Sequence, residues 1–311
     1  MHKAIDESLA HLIPLLAQEG IVITAQREIS YGVQLKLLKC FDVSVLNIYH
    51  SAKKGLSYVI GGDKNNALRA RLKELLSSQM PSPEPQAGMH SWQTWCGSDE
   101  CGKGDYFGAL VVAGMTVVAD DLPKLRRMGV QDSKNLRDQQ IVNIAKQLYE
   151  SYSSRIACIV LKPIKYNEIY ADMKKRGQNL NDLLAWQHGK VIMDLYGREI
   201  KPEGALVDQF SKSAKVRALL KVKLPLLPVV ERPGAEADAA VAAASIIARY
   251  QFLQSQASLS RYYQIEFPLG SGSGIITTGK QFIAKYGFPR LCEVAKLHFV
   301  TTAKLEQKTI I

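Results

Sequence analysis

The sequence predicts an α/β fold in which helices cover both faces of a mixed sheet, preceded by a small α+β domain. Three observations support this. Residues 1–80 combine helical apolar spacing with strand-like alternation, a proline-rich stretch follows at Ser77–Ser91 (SSQMPSPEPQAGMHS), and strands and helices then occur in mixed order. We therefore expect domains at 1–80 and 93–311, joined by a linker at 81–92.

The first domain alternates between two kinds of pattern. The apolar residues of 4–18 recur with helical spacing, and a second helical pattern lies in NNALRARLKELLSS. Between them, three stretches show the period of two that is typical of strands: IVITAQREISYGVQLKLLKC, VSVLNIYH and GLSYVIGG. Consecutive strands joined by short turns predict an antiparallel sheet.

The second domain mixes apolar strands with longer helices. Strands are predicted in TWCGSDE, YFGALVVAGMTVV, RIACIVL and GALVD. Helices are predicted in RDQQIVNIAKQLYES, from about Leu180 to Leu195, and in EADAAVAAASIIARYQFLQSQ. This order is the basis for placing helices on both faces of the sheet.

Composition narrows the class of partner. The net charge of +11 and the pI near 9.3 favour a polyanion, with nucleic acid ahead of an anionic membrane surface. No run of about 18 apolar residues and no leader-like N-terminus is present, so we expect a cytoplasmic protein without a membrane partner. Five cysteines without a CxxC pair favour reduced thiols over disulfides or structural zinc.

The segment GSDECGKGD, Gly97–Asp105, resembles a phosphate-binding loop but departs from it in two ways. Gly104 stands where such a loop needs a Ser or Thr hydroxyl for Mg²⁺. Asp99 and Glu100 would also repel a nucleotide's phosphates unless metal ions stood between them. The acidic pair and the glycine turn therefore need another explanation.

Further carboxylates lie in two other segments. Asp208 ends the apolar stretch ALVD, and Glu236, with Asp238 close by, opens an alanine-rich helix. Each acid alone is consistent with an ion pair, a helix cap or an exposed strand edge. Together, three segments that offer hard oxygen ligands suit Mg²⁺ or Mn²⁺. Two such ions about 3.5–4 Å apart can stabilise both oxygens of an in-line phosphoryl displacement.

The turn Gly102-Lys103-Gly104 suits the same chemistry. Glycines allow the backbone to approach a sugar-phosphate closely, and Lys103 could meet a phosphate. A tight turn between two strands explains the same three residues without a ligand.

These motifs together resemble those of a known protein family. GSDECGKGDYFGALVVAG resembles the opening motif of the type 2 ribonucleases H, and more particularly of ribonuclease HIII. Further matching segments follow in order: GVQDSKNLRD, KPIKYNEIY, NLNDLLAWQHGKVI, VDQF, AVAAASIIAR and AKLHFVTT. The resemblance extends from about Cys96 to Thr302.

The resemblance implies a ribonuclease H-like fold and an endoribonuclease that hydrolyses the RNA strand of RNA–DNA hybrids with two Mg²⁺ or Mn²⁺ ions, leaving 5′-phosphate and 3′-hydroxyl ends. It implies contacts to ribose 2′-hydroxyls from Gly102, Lys103 and Gly104. The first domain resembles, in layout only, a hybrid-binding domain similar to the TATA-box-binding protein. We expect a monomer without a small-molecule cofactor. The catalytic, metal-binding carboxylates would be Asp99, Glu100, Asp208 and Glu236.

Two alternatives stay open from the sequence. The fourth carboxylate could be Glu236 or Asp238. The dipeptide AE at Ala235-Glu236 matches the family's sequence better, which favours Glu236. The chain could also bind hybrids without cleaving them, although a pure binder gains nothing from four negative charges beside phosphates. His188 could shuttle a proton, but a packed or hydrogen-bonded structural histidine is the commoner role.

Overall fold

The computed structural model describes residues 3–51, 55–62, 66–79 and 90–306, and the chain forms two compact units, Met1–Pro83 and Glu84–Ile311. The predicted linker at 81–92 lies outside the described residues except for its last three. Residues 77–79, where the proline-rich stretch begins, form the last turn of the helix that NNALRARLKELLSS predicted up to Ser78.

The first unit is a four-stranded antiparallel sheet with two helices. The strands lie in the order β1-β2-β3-β4, and the sequence assigned all of them to strands. Buried residues of β2 and β3, such as Val33, Leu35 and Leu46, pack with leucines of both helices in one core. The elements are α1 Lys3–Gln18, β1 Val22–Ile29, β2 Gly32–Lys39, β3 Asp42–Ser51, β4 Gly55–Gly61 and α2 Ala67–Gln79.

The second unit contains a five-stranded mixed sheet in the order β7-β6-β5-β8-β9. The strands β5, β8 and β9 are parallel, and β6 and β7 are each antiparallel to their neighbours. The parallel strands therefore have their carboxyl ends at one edge of the sheet. The strands are β5 Thr94–Cys101, β6 Leu110–Val118, β7 Ile156–Leu161, β8 Gly204–Asp208 and β9 Val229–Arg232.

Helices cover both faces of this sheet, as predicted. Alternate residues of β6 enter different cores: Val111 and Ala113 pack with α4 and α8, whereas Leu110 and Val112 pack with α5, α6 and α7. The helices are α3 Leu122–Arg127, α4 Asp138–Tyr152, α5 Pro163–Lys175, α6 Leu180–Tyr196, α7 Lys215–Lys223, α8 Ala239–Tyr263, α9 Ser273–Tyr286 and α10 Val300–Glu306. No helix in the described ranges is long and apolar enough to cross a membrane.

The alanine-rich helix α8 lies unusually close to β5. A Cβ atom added at Gly97 would come within 2.3 Å of the Ala240 carbonyl carbon and the Val241 nitrogen. The small residues of both elements are therefore needed for this packing. It brings the start of α8 beside the end of β5, where the acidic pair lies.

Two predicted boundaries were wrong. The strand expected from YFGAL begins only at Leu110, because the C-terminal segment holds the preceding residues: Gly108 N–H donates to the Val294 carbonyl at 2.9 Å, and Lys296 N–H donates to the Tyr106 carbonyl at 2.9 Å. The helix expected from EADAAV begins at Ala239, after a short 3₁₀ turn at Ala235–Ala237.

Candidate active site

The carboxyl ends of β5 and β8 bring two predicted carboxylates together. Ser98 of β5 pairs with Val207 of the parallel strand β8, so the next residues, Asp99 and Asp208, lie side by side on neighbouring strands. Neighbouring strands are about 4.7–4.9 Å apart. Glu100 follows on β5, and Glu236 lies in the 3₁₀ turn that leads from β9 into α8.

Strand alternation sends Asp99 and Glu100 to opposite faces of the sheet. Asp99 meets the Ser245 hydroxyl on α8, and its Oδ1 accepts the Glu100 N–H at 2.7 Å. Burial raises the pKa of Asp99 to about 7, with a further contribution from the charge of Glu100, although these two hydrogen bonds oppose the rise. Burial therefore disfavours the ionised form of Asp99 at this site.

Glu100 points towards α6, where a buried histidine contacts it. The distance between Nε2 of His188 and Oε2 of Glu100 is 3.3 Å, and Nδ1 of His188 lies 2.8 Å from the Ser98 hydroxyl. Lys103 Nζ lies 3.6 Å from Oε1 of Glu100. Burial alone would raise the pKa of Glu100, but the hydrogen bond and charge of His188, together with Lys103, lower it overall. Glu100 is therefore ionised.

Asp208 and Glu236 form a second acidic pair. Burial and the charge of Glu236 raise the pKa of Asp208 to about 6, although Oδ1 accepts the Ala235 N–H at 3.2 Å. Burial would raise the pKa of Glu236 as well, but Lys134, whose Nζ lies 2.9 Å from Oε1, lowers it. Oε2 of Glu236 is buried and has no hydrogen-bond partner among the described residues.

Asp238 lies apart from these pairs. Its carboxylate is buried and accepts hydrogen bonds from the Trp95 indole N–H at 3.0 Å and from the Ala240 N–H at 2.8 Å. His90 Nε2 lies 3.4 Å from its other oxygen. Both oxygens of Asp238 are thus engaged by the fold.

The glycine turn lies at the same edge of the sheet. Gly102 has a φ of +91°, and a Cβ there would lie 2.2 Å from the Ala109 carbonyl oxygen, so only glycine fits. No atom of the residues that the structure describes lies within 4 Å of a Cβ built at Gly104. The backbone at Gly104 is therefore open to a ligand. The Asp105 carboxylate accepts the Gly270 N–H at 2.6 Å, which anchors the end of the turn.

A cavity of about 480 Å³ opens beside the carboxylates, and several of its residues were not predicted. The hydroxyls of Ser133 and Ser245 are 2.7 Å apart, and Arg249 donates to Asp138 at 3.0 Å. These residues belong to GVQDSKNLRD and AVAAASIIAR, which matched the family without an assigned role. This cavity beside the carboxylates is lined by Asp99, Glu100, Cys101, Ser133, Lys134, Leu136, Asp138, Ile141, Asp208, Ser245 and Arg249. A larger cavity between α5, α6 and α7 contains none of the predicted site residues.

The donor chemistry fits divalent cations. Within the described residues, no three His, Cys, Asp or Glu side chains surround one point; the acids form two pairs, each next to a lysine. Carboxylate oxygens are the ligands that Mg²⁺ and Mn²⁺ prefer. A cation would compensate for the burial and the neighbouring negative charges that raise the pKa values of Asp99 and Asp208, and it would give Oε2 of Glu236 a partner.

Comparison with known proteins agrees with this geometry. The family model described as Ribonuclease HII matches residues 96–302. The Ribonuclease HIII of Protochlamydia amoebophila (strain UWE25) is 42% identical over 205 residues, which cover 66% of each chain. The Ribonuclease HIII of Bacillus mycoides (strain KBAB4) is 38% identical over 243 residues, covering 76% of this chain and 74% of the relative.

Solved structures extend the likeness to both units. The crystal structure of Bst-RNase HIII in complex with Mn²⁺ aligns with a TM-score of 0.65 and 28% identity, covering 96% of each chain. The ribonuclease H2 of Pyrococcus horikoshii OT3 aligns with a TM-score of 0.58 and 26% identity, covering 69% of this chain and 98% of that chain. The chain therefore belongs to the ribonuclease HII family of endonucleases, and within that family it is similar to the ribonucleases HIII.

Proposed function

We propose that this chain is an endoribonuclease that hydrolyses the RNA strand of RNA–DNA hybrids with two divalent metal ions, Mg²⁺ or Mn²⁺, and leaves 5′-phosphate and 3′-hydroxyl ends. The observation that carries the proposal is the meeting of two acidic pairs and a glycine turn at one edge of the sheet. Membership of the ribonuclease HII family supports it.

Four carboxylates are suited to hold the metal ions: those of Asp99, Glu100, Asp208 and Glu236. When bound, such ions lower the pKa of a water molecule and neutralise charge on the scissile phosphate. In the protein itself, Ser245 orients Asp99 and His188 orients Glu100, so each acid of the first pair has a donor on a different helix. The ammonium groups of Lys103 and Lys134 offset the remaining negative charge.

The glycine turn is suited to recognise the RNA strand. Since Gly104 has free space above its backbone, amides and carbonyls of the turn can approach a ribose 2′-hydroxyl, the group that distinguishes RNA from DNA. Lys103 follows Gly102 directly and is well placed to contact an adjacent phosphate. We assign substrate contacts to Gly102, Lys103 and Gly104.

The first unit offers a polar sheet surface for the same substrate. Its helices cover the face formed by Val33, Leu35 and Leu46, so Gln34, Lys36 and Asn47 point away from them. The Gln34 amide donates to the Asn47 side chain at 2.6 Å. This open face carries hydrogen-bonding and cationic groups suited to a nucleic-acid groove, and we propose that it binds the hybrid.

The proposal is tested with an RNA–DNA hybrid whose two strands carry different labels. We expect the RNA strand alone to be cut, in the presence of Mg²⁺ or Mn²⁺ and not of a chelator. Hybrid binding without cleavage in either metal would favour the binding protein instead. Cleavage of the DNA strand would contradict the proposed specificity.

A further inference from the structure

One aromatic ring links the glycine turn to the helix that carries His188. Phe210 is half-buried and lies two residues after Asp208, in the segment between β8 and α7. Its ring stacks on the His188 imidazole, with centroids 5.1 Å apart and planes inclined by 19°. Lys103 also lies over the Phe210 ring, with its Nζ 5.4 Å from the ring centroid.

Both partners of Phe210 also contact Glu100. His188 approaches one carboxylate oxygen at 3.3 Å and Lys103 approaches the other at 3.6 Å. His188 has a second anchor in the Ser98 hydroxyl, at 2.8 Å, and is fully buried. Lys103 is about one-third exposed and has no other hydrogen bond or ion pair with the described residues. Its position therefore depends on Glu100 and Phe210.

These two anchors respond differently to a cation at the carboxylates. A divalent ion that binds Glu100 takes up its negative charge, so the attraction between Glu100 and Lys103 falls. The face of an aromatic ring attracts an ammonium group through its quadrupole, which such an ion does not remove. Lys103 has a long flexible side chain that samples many rotamers unless something restricts it.

We propose that Phe210 is a positioning residue that keeps Lys103 at the site once Glu100 has bound a metal ion. The inference rests on the proposed function, because it gives Lys103 a contact to the substrate. The Phe210 ring holds the Lys103 ammonium near the site, and Lys103 itself contacts the substrate. The sequence motif VDQF thus places a metal-binding acid and the support for a substrate-binding lysine two residues apart.

The test is a double-mutant cycle on the full chain. Phe210→Leu and Phe210→Met remove the ring, Phe210→Tyr keeps it, and Lys103→Met removes the ammonium. Phe288→Leu is the matched control, since Phe288 is also half-buried but belongs to the separate core around α9. For each variant KM and kcat are measured on the hybrid with Mg²⁺. Hybrid affinity is measured by fluorescence anisotropy on an Asp99→Asn background that does not cleave.

We expect Phe210→Leu and Phe210→Met to raise KM and the dissociation constant by about two- to five-fold, the range of an exposed cation–π contact. Phe210→Tyr and Phe288→Leu should match the wild type. Adding Phe210→Leu to Lys103→Met should change KM no further.

Three results would overturn the inference. They are additive effects of Phe210→Leu and Lys103→Met, a wild-type KM in both ring-free variants, and a loss in Phe210→Tyr equal to that in Phe210→Leu. A wild-type protein that does not cleave the hybrid would instead refute the proposed function, and the role of Phe210 with it. The wild-type reaction therefore separates the two failures.

Discussion

The indole N–H of Trp95 donates a buried hydrogen bond of 3.0 Å to the carboxylate of Asp238. The same oxygen accepts the Ala240 N–H at 2.8 Å, so Asp238 caps the N-terminus of α8 and ties it to β5. Glu236, two residues earlier, lies next to Asp208 and Lys134 instead. The two acids have different surroundings, which supports Glu236 as the fourth metal ligand.

Substitution of Asp238 should therefore mainly lower stability, and substitution of Glu236 should mainly lower kcat. Asp238→Ala removes the cap and leaves the Trp95 N–H unpaired, and we expect it to lower the free energy of unfolding by about 2 kcal/mol or more. Glu236→Gln should leave stability near that of the wild type and reduce kcat by at least about 100-fold, the scale seen when one electrostatic interaction at a reaction centre is removed. Urea unfolding and hybrid cleavage of both variants, with Asp238→Asn as the milder control, test the assignment. A larger loss of kcat in folded Asp238→Asn would reverse it.

Removing a central carboxylate should separate binding from cleavage. Asp99→Asn and Asp208→Asn each delete a proposed metal ligand and a negative charge, so we expect cleavage to be abolished while hybrid affinity is unchanged or higher. Electrophoretic mobility shifts and cleavage assays on the same samples measure both. Either variant with wild-type cleavage would remove that residue from the site.

The buried Lys296 predicts a pH dependence of stability. Its ammonium donates to the Gly108 carbonyl at 2.8 Å, but burial lowers its pKa from 10.5 to about 7. Between these values the unfolded chain binds one proton more than the folded chain, so stability rises with pH. From pH 7.5 to 8.5 the wild type should gain about 1 kcal/mol more than Lys296→Met.

Tryptophan fluorescence during urea unfolding measures this difference, because Trp92, Trp95 and Trp186 all lie in the second unit. Cysteine thiols of the unfolded chain also titrate in this range, but they contribute equally to both proteins and cancel in the comparison. Equal changes in the wild type and in Lys296→Met would show that Lys296 titrates normally in the folded protein.

Local patterns predicted the parts of the fold that local forces determine. The short apolar stretch ending at Asp208 predicted β8, and the longer run of apolar residues at 180–195 predicted α6, because both elements are largely buried and the length of an apolar run separates strand from helix. Tyr106–Ala109 read as strand for the same reason, yet contacts with Val294 and Lys296, almost 190 residues away, hold them outside it. The basic helix α7 and the strand β9 were missed, since they contain only nine and four residues and are too short to establish a pattern.

In the candidate site, too, local sequence predicted some residues, whereas others depend on contacts between distant parts of the chain. The carboxylates and the glycine turn were recognisable, because few structural roles place that many acids beside a glycine turn. The partners of Glu100 and Asp99, His188 and Ser245, were not assigned, because each comes from a helix far along the chain. Which of them meets which acid depends on the alternation of β5 and on the sheet order, which the sequence does not state.

The first unit should contribute affinity rather than chemistry. A chain beginning at Gln86 retains the four cores that the described residues of the second unit form, so we expect it to fold. It should bind the hybrid more weakly, and for each phosphate that the first unit neutralises, its removal should lower the slope of log affinity against log salt by about 0.9. The rate at saturating substrate should persist. Equal affinities and slopes for the two chains would leave the first unit without a role in binding.

The most direct test of the central claim is a sulfur substitution at the scissile phosphate. If ions held by the carboxylate pairs contact that phosphate, replacing a non-bridging oxygen by sulfur should slow cleavage strongly in Mg²⁺, because Mg²⁺ prefers oxygen ligands, and Mn²⁺ should restore the rate. The measurement is the single-turnover rate on each phosphorothioate diastereomer in both metals. Slower cleavage that Mn²⁺ fails to restore for either diastereomer, or no slowing in Mg²⁺, would contradict metal-ion catalysis at this site.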